Sequence, residues 1–477
     1  MIRTRIAPSP TGAPHIGTAY VALVNYCFAK KNGGSFILRI EDTDHVRSTA
    51  DHEKSIMECL RWLGLDWDEG PDKGGDHGPY RQSERCDLYK TYANHLLEAG
   101  HAFKCFCSPE TLSKMHDHQK QQALPLRYDG RCLDLSMADI SRRERAGTPY
   151  VVRMKIPQSG TCIVSDGLRG PISVDWKQID MQILIKSDGQ ATYHLASVVD
   201  DHMMGITDVI RGEEWIPSCP KHVLLYRYFG WDPPRFWHLP LLRNPDRSKL
   251  SKRKNQTGIL FYRQFGYLPE ALMNHIARLI VSSIGDHDFF TIQDVVEAFD
   301  VRKIGLSGPV FDTEKLDWLN GRYLRHKLSP QGLGVRYLEW VKDFGRLDEI
   351  LAQSQSRIKR LSDIAPLAGF LFSGDLGLQV AALRGLGLTD AEVYAAFEVL
   401  LKDLEPVKDW HAGNLEEVMR RVASQLNIKL KTLLVVFYVA LTGSSRSLPL
   451  FQAMEWLGRD MCNRRLRQAR RLLEADN

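Results

Sequence analysis

The alternation of apolar and polar residues is most regular at the start of the chain. Arg3 to Ala7 is a short, apolar-alternating run that stops at Pro8, as a strand would, and Ala7 to Pro14 (A-P-S-P-T-G-A-P) is dense in turn residues. Thr18 to Lys31 carries apolar residues at helical spacing, with Asn32-Gly33-Gly34 as its stop. Ser35 to Ile40 (S-F-I-L-R-I) reads as a buried strand that closes on Glu41-Asp42-Thr43-Asp44. Strand, helix and strand in this order predict a parallel sheet, and ligands of such sheets bind beyond the carboxyl ends of the strands. The loop from Pro8 to Thr18 and the acidic cluster from Glu41 both fall at that edge.

From 105 to about 190 the pattern changes. Three cysteines, several histidines and short mixed strands predict an insertion rather than continued alternation of strand and helix. Met181 to Ile185 and Thr192 to Val199 return to apolar runs, ending at Asp200-Asp201-His202, read as a turn. After the polar break at Arg253-Lys254-Asn255-Gln256 helical periodicity dominates, and residues beyond about 325 read as almost wholly helical.

Composition adds limits. A chain of 477 residues, 43% hydrophobic and 25% charged, has ample material for a core without disulfides. The net charge of +5 permits an anionic partner without requiring one. The longest apolar run, Leu433 to Leu441, is far shorter than the roughly 20 residues that span a bilayer. Met1 to Arg5 has no apolar leader, and nine scattered cysteines read as reduced thiols. A cytoplasmic protein with no membrane segment is expected.

Candidate chemistry lies at the predicted sheet edge. His15-Ile16-Gly17-Thr18 stands where a loop enters a helix, so backbone amides can bind an anion and Gly17 allows its close approach. Far downstream, Lys249-Leu250-Ser251-Lys252-Arg253-Lys254 follows Asn244-Pro245-Asp246, a cationic loop suited to polyphosphate. Alone, the first reads equally as a structural histidine and the second as a solvated basic loop. Together they resemble the HIGH and KMSKS signatures of the class I aminoacyl-tRNA synthetases. The wider strings R-T-R-I-A-P-S-P-T-G-x-P-H-I-G-T, L-R-I-E-D-T-D, G-P-Y-R-Q-S-E-R and L-L-R-N-P-D-R-S-K-L-S-K-R-K resemble the bacterial glutamyl-tRNA synthetase family in particular. Thr18 replaces the second histidine of HIGH and Arg253 the last serine of KMSKS; both replacements are familiar in the glutamyl branch.

The resemblance implies a Rossmann-type α/β catalytic domain with an inserted α+β domain, followed by all-helical stem-contact and anticodon-binding domains. The expected divisions are 1–104 and 191–250 for the two catalytic halves, 105–190 for the insertion, 251–325 for the stem-contact domain and 326–477 for the anticodon region. Phe311 to Arg325 resembles the family's bridge between the catalytic and anticodon regions. It implies ligation of L-glutamate to tRNA-Glu with ATP and Mg2+, through a glutamyl-adenylate, by a monomer. The implied catalytic residues are His15, Lys249 and Lys252, and the implied ATP contacts are His15, Gly17, Thr18, Lys249, Ser251 and Lys252. Glutamate contacts fall on Arg5, Ala7, Ser9, Glu41, Tyr193 and Arg211. Glu41 suits an ammonium and either arginine a carboxylate; loss of one such charged pair would disfavour glutamine by about 2–5 kcal/mol. Trp215 is read as core or as pocket wall, and Asp44 and Arg47 as candidates for the tRNA 3′ end.

Two features lie outside that site. Cys105 and Cys107, with Cys132 further on, have spacing suited to a structural Zn2+, and some family members carry such a site ending in C-x-H. Here Asp134 stands in the histidine's place, and three reduced thiols without metal are the alternative. Arg459 to Arg471 contains six arginines, which read as a phosphate-binding cluster or a solvated helix face. By resemblance Arg357 reads the third anticodon base, which would favour tRNA-Glu over tRNA-Gln. An enzyme that also charges tRNA-Gln, and a tRNA-binding paralogue without catalysis, are the competing readings.

Overall fold

The computed structural model describes residues 1–44, 46–250, 257–281, 288–343, 346–445 and 447–474. The chain forms two compact units, Met1–Leu250 with Pro269–Leu319, and Ser251–Leu268 with Asn320–Asn477.

The strands of the first unit are β1 (Arg3–Ile6), β2 (Ser35–Leu38), β3 (Ala102–Cys105), β4 (Val151–Met154), β5 (Thr161–Asp166), β6 (Gly170–Asp175), β7 (Ile183–Ile185), β8 (Asp208–Gly212) and β9 (Arg235–Leu239). β1 and β2 run parallel, Arg3 opposite Ser35 and Ile6 opposite Leu38, joined by helix α1 (Ile16–Lys31). This is the unit predicted from the opening residues. α1 is apolar around most of its surface, and Ile16, Ala19, Leu23, Val24 and Cys27 are fully buried, as a helix packed on more than one side requires. β1 also lies against β8, where Thr207 N–H donates to Arg3 O at 3.0 Å. β8 and β9 are parallel, so their carboxyl ends share an edge.

The stretch read as an insertion divides between two sheets. β3, β4 and β7 form an antiparallel sheet of their own. The β5–β6 hairpin instead joins β9 through one parallel pair, Asp166 opposite Phe236, giving the order β6-β5-β9-β8. Asp200 and Asp201 are not in a turn. They belong to the helix Tyr193–Met203 and are buried, because arginines from three other segments neutralise them there.

The second unit is helical as expected: Ile259–Gln264, Pro330–Asp343, Leu347–Gln355, Asp390–Leu404, Ala412–Gln425, Leu430–Thr442 and Leu450–Glu474 are its main helices. The last bends at Gly458, whose φ of 72° is open to glycine at little cost. Phe397 and Phe437 meet edge-on in its core, 5.8 Å between ring centres. Among the described residues no single helix is long and apolar enough to cross a membrane.

The turn between α1 and β2 depends on Gly34. Ser35 N–H donates to Ile2 O there, and a Cβ on Gly34 would stand 2.1 Å from that oxygen and 2.8 Å from its carbonyl carbon. Because the obstacle is backbone, Gly34→Ala should destabilise the first unit by about 1–3 kcal/mol. Urea unfolding measures this, and an unchanged midpoint would contradict it.

Candidate active site

At the carboxyl edge of β1 and β2 six side chains, Arg5, Arg39, Arg85, Glu41, Asp200 and Asp201, are tied together by charge. Arg5 leaves β1 and donates to Asp201 from Nε at 3.0 Å and Nη2 at 3.3 Å. Arg39, just past β2 and fully buried, donates from Nη1 to Asp201 at 2.6 Å and from Nη2 to Glu41 at 3.0 Å. Arg85 holds Asp200 at 2.6 Å, and Gln82 and Tyr89 donate to the same carboxylate at 2.9 and 2.8 Å. Burial alone would raise the Asp201 carboxyl, but Arg5 and Arg39 outweigh it and hold it below its ordinary range. At Glu41 burial prevails and the carboxyl is raised. Glu41 N–H donates to Pro8 O at 3.0 Å, which brings the backbone from half-buried Ala7 to exposed Ser9 beside this group.

Arg211, at the end of β8, is built differently. Its Nε donates to His238 Nε2 at 3.1 Å, and its Nη1 lies 3.1 Å from Tyr193 Oη and 3.3 Å from His222 Nδ1. None of these acceptors is a carboxylate, and its buried Nη2 has no hydrogen-bond partner among the described residues. Trp215, partly exposed, lies at a tilt against the Tyr193 ring with 4.5 Å between centres, so it is a surface neighbour of this group rather than part of the core. The structure therefore brings Arg5, Glu41, Tyr193 and Arg211 into one electrostatic neighbourhood.

His15 caps α1. Its Nδ1 accepts from Gly17 N–H at 2.9 Å, so in the neutral ring the proton sits on Nε2. Gly17 and Thr18 form the first turn, and Thr18 N–H donates to His15 O at 2.7 Å. Lys249 is exposed on a turn organised by Asn244, whose Nδ2 donates to Ser248 Oγ at 2.9 Å and Lys249 O at 3.3 Å. Ser251, Lys252 and Arg253 lie outside the described residues. Asp44 and Arg47 pair with each other at the surface, Nε to Oδ2 at 2.7 Å.

A family profile described as tRNA synthetases class I (E and Q), catalytic domain, matches residues 1–318, and one described as an anticodon binding domain matches 326–470. Glutamate–tRNA ligase of Agrobacterium fabrum is 51% identical over 98% of this chain and 96% of its own length. The enzyme of the same name from Marinomonas sp. is 50% identical over 98% and 95%. This chain belongs to the glutamate–tRNA ligase family of class I tRNA synthetases. The glutamate–tRNA ligase of Elizabethkingia meningosepticum, solved in complex with its amino acid, superposes with a TM-score of 0.67 at 32% identity, covering 99% of both chains. The fold read from the sequence is thus the family's, and membership carries ATP and Mg2+ with it in general terms.

Cys105, Cys107 and Cys132 bring their sulfurs within 4.8 Å of one another, with Cys107 and Cys132 at 3.6 Å. Tetrahedral zinc with thiolates at about 2.3 Å separates its sulfurs by about 3.8 Å, so the donor set fits that ion. Asp134 is exposed and stands outside the group, as do His116 and His118. The nearby oxygen is Tyr128 Oη, 3.7 Å from Cys107 Sγ and accepting from Cys132 N–H at 3.0 Å. A mutual hydrogen bond lowers the Cys105 thiol and raises that of Cys132, so the pair shares a proton that metal ligation would displace.

In the second unit Arg357 is exposed past the end of the helix Leu347–Gln355, donating to Ser447 O at 3.1 Å. The arginine cluster is not one open face. Arg464 grips Asp375 at 2.9 and 2.8 Å, Arg470 meets Glu398 at 3.4 Å, and Arg465 is buried on the carbonyls of Leu441, Phe370, Ser373 and Gly374.

Sequence reasoning missed His194, His222 and His238, which carry no local pattern. Burial lowers His194 to about 4 and holds His222 well below its ordinary value, with Arg211 adding to both, and burial lowers His275 elsewhere in the unit to about 4. Their unfolded value is near 6.5, so below it the unfolded chain binds more protons and stability falls as pH drops toward 4. Glu41 acts in the opposite sense, one carboxyl against three imidazoles. Each histidine should remove on the order of 1 kcal/mol at pH 5. The urea midpoint of the first unit should therefore fall between pH 7.5 and 5, and a flat midpoint would contradict the burial of these rings.

Proposed function

We propose that this protein ligates L-glutamate to tRNA-Glu with ATP and Mg2+, in the cytoplasm and as a monomer. The observation that carries the assignment of the amino-acid pocket is Arg211, a buried guanidinium whose Nη2 has no hydrogen-bond partner among the described residues and whose other donors meet only neutral acceptors. Such a cation is stabilised by an anionic ligand more than by any neutral one. Arg5, already committed to Asp201, keeps that carboxylate from competing for the substrate ammonium, which is left to Glu41. The backbone at Ala7 and Ser9, with Tyr193, completes the glutamate contacts.

In the first step a carboxylate oxygen of glutamate attacks the α-phosphorus of ATP, a new O–P bond forms, and pyrophosphate leaves. His15 donates from Nε2 to a phosphate oxygen, with Gly17 and Thr18 at the helix start beside it. Lys249, Ser251 and Lys252 serve the departing pyrophosphate. In the second step a hydroxyl of the tRNA's terminal adenosine takes the glutamyl group and releases AMP. These roles extend to the divisions 1–104, 105–190, 191–250, 251–325 and 326–477, with Arg357 reading the third anticodon base.

We further assign structural zinc to Cys105, Cys107 and Cys132, with Tyr128 rather than Asp134 nearest the fourth position. Purified protein should hold about one zinc per chain, lost in Cys107→Ser. Metal-free wild-type protein with three titratable thiols would overturn this.

The function is tested by charging purified tRNA-Glu and tRNA-Gln with glutamate or glutamine, ATP and magnesium. Glutamate on tRNA-Glu alone is the expected result. Glutamate on both would remove Arg357 from discrimination, and charging with glutamine would overturn the pocket assignment.

A further inference from the structure

The surroundings of Arg211 form a relay that the residues touching the amino acid do not explain. Asp166 closes β5 and is buried. Its Oδ1 accepts from Leu168 N–H and Arg169 N–H, both at 2.9 Å, and its Oδ2 accepts from His238 N–H at 3.1 Å. The carboxylate is therefore immobile. The same Oδ2 takes His238 Nδ1–H at 2.6 Å, and His238 is wholly buried on β9. That bond places the imidazole proton on Nδ1 and leaves the Nε2 lone pair toward Arg211 Nε. On the other side His222 Nδ1 faces Arg211 Nη1, while its Nε2 meets His194 Nδ1 at 3.2 Å. For His222 to accept from the guanidinium, its proton must sit on Nε2 and be taken by His194.

Two donors of Arg211 thus meet imidazoles whose tautomers are fixed one step further out, and a third meets the Tyr193 hydroxyl. Nη2 is buried and has no hydrogen-bond partner among the described residues, and the Cys219 thiol lies beside the guanidinium. A carboxylate in place of any of these acceptors would neutralise the guanidinium inside the protein. The nearest acid in this chain of contacts, Asp166, is kept one imidazole away.

We infer that His238 and His222 are positioning residues for amino-acid selection: the Asp166–His238 and His194–His222 pairs present neutral acceptors that aim Arg211 Nη2 at one carboxylate of the substrate while leaving its charge for that carboxylate to balance. This rests on the reading of the pocket as the glutamate site. The arrangement makes selection depend on a tautomer. With Asn at 166 the amide would donate to Nδ1, the ring proton would move to Nε2, and it would confront Arg211 Nε–H, donor against donor.

The test is steady-state charging of tRNA-Glu by full-length wild-type protein, Asp166→Asn, His238→Gln and the double variant, with thermal melting as the check on folding. Asp166→Asn should raise KM for glutamate by about tenfold or more while KM for ATP stays within about twofold. In His238→Gln the amide oxygen can stand in for Nε2, so KM for glutamate should rise by only about threefold. Gln at 238 has no ring tautomer to set, so the double variant should match His238→Gln and rescue the loss in Asp166→Asn. Should Asp166→Asn not fold, the double variant and His222→Asp carry the test, the latter expected to raise KM for glutamate by giving Arg211 an internal anion. Equal shifts in both KM values, a double variant no better than Asp166→Asn, or an unmoved KM for glutamate with wild type charging normally would overturn the relay alone. Wild-type protein that charges no glutamate would overturn the pocket reading and the relay with it.

Discussion

The structure turns on how it balances charge that it has taken out of water. Arg5, Arg39 and Arg85 come from β1, the end of β2 and the segment before the helix Cys86–Glu98, and all three converge on two adjacent aspartates of one helix. Removing one member of such a buried set costs about 3–5 kcal/mol, because the partner is left charged and unsolvated. The strands and the helix Tyr193–Met203 cannot separate without exposing that imbalance. A site edge that a hydrophobic core alone would hold loosely is thereby held to a single geometry.

Arg211 is meaningful against that background. The neighbouring arginines have carboxylates, and it has two imidazoles and a phenol. On the proposed reading the fold tolerates the cost at this position, near Glu41 and Arg5, because a zwitterionic substrate with a second carboxylate would restore the balance. Local destabilisation of this kind is what a binding site holds in reserve, and it explains why so much tautomeric control surrounds one guanidinium.

Much of this was legible in the residues. Alternation, helical spacing and the Asn32-Gly33-Gly34 stop foretold β1, α1 and β2, because each is a local pattern with a local cause. The helical second unit was legible for the same reason. The relay was not, since Asp166 and His238 lie 72 residues apart and meet only through the parallel pairing of β5 with β9. Asp200-Asp201 suggested a turn because two acids in succession are costly inside a helix core, and only distant arginines make them stable there. The arginines from 459 to 471 suggested one basic face, yet Arg465 points inward to cap carbonyls and Arg464 is matched by Asp375. Asp134 fits the sequence pattern, whereas the fold brings the Tyr128 hydroxyl to the cysteines.

The central claim is that the pocket is charge-complementary before substrate arrives, and a crystal structure with L-glutamate bound tests it most directly. The account predicts a ligand carboxylate on Arg211 Nη2, the ammonium at Glu41, and the Arg5–Asp201 and Arg39–Asp201 pairs unchanged. Glutamate bound with Arg211 turned away, or with Asp201 drawn off Arg5 to meet the ammonium, would contradict it.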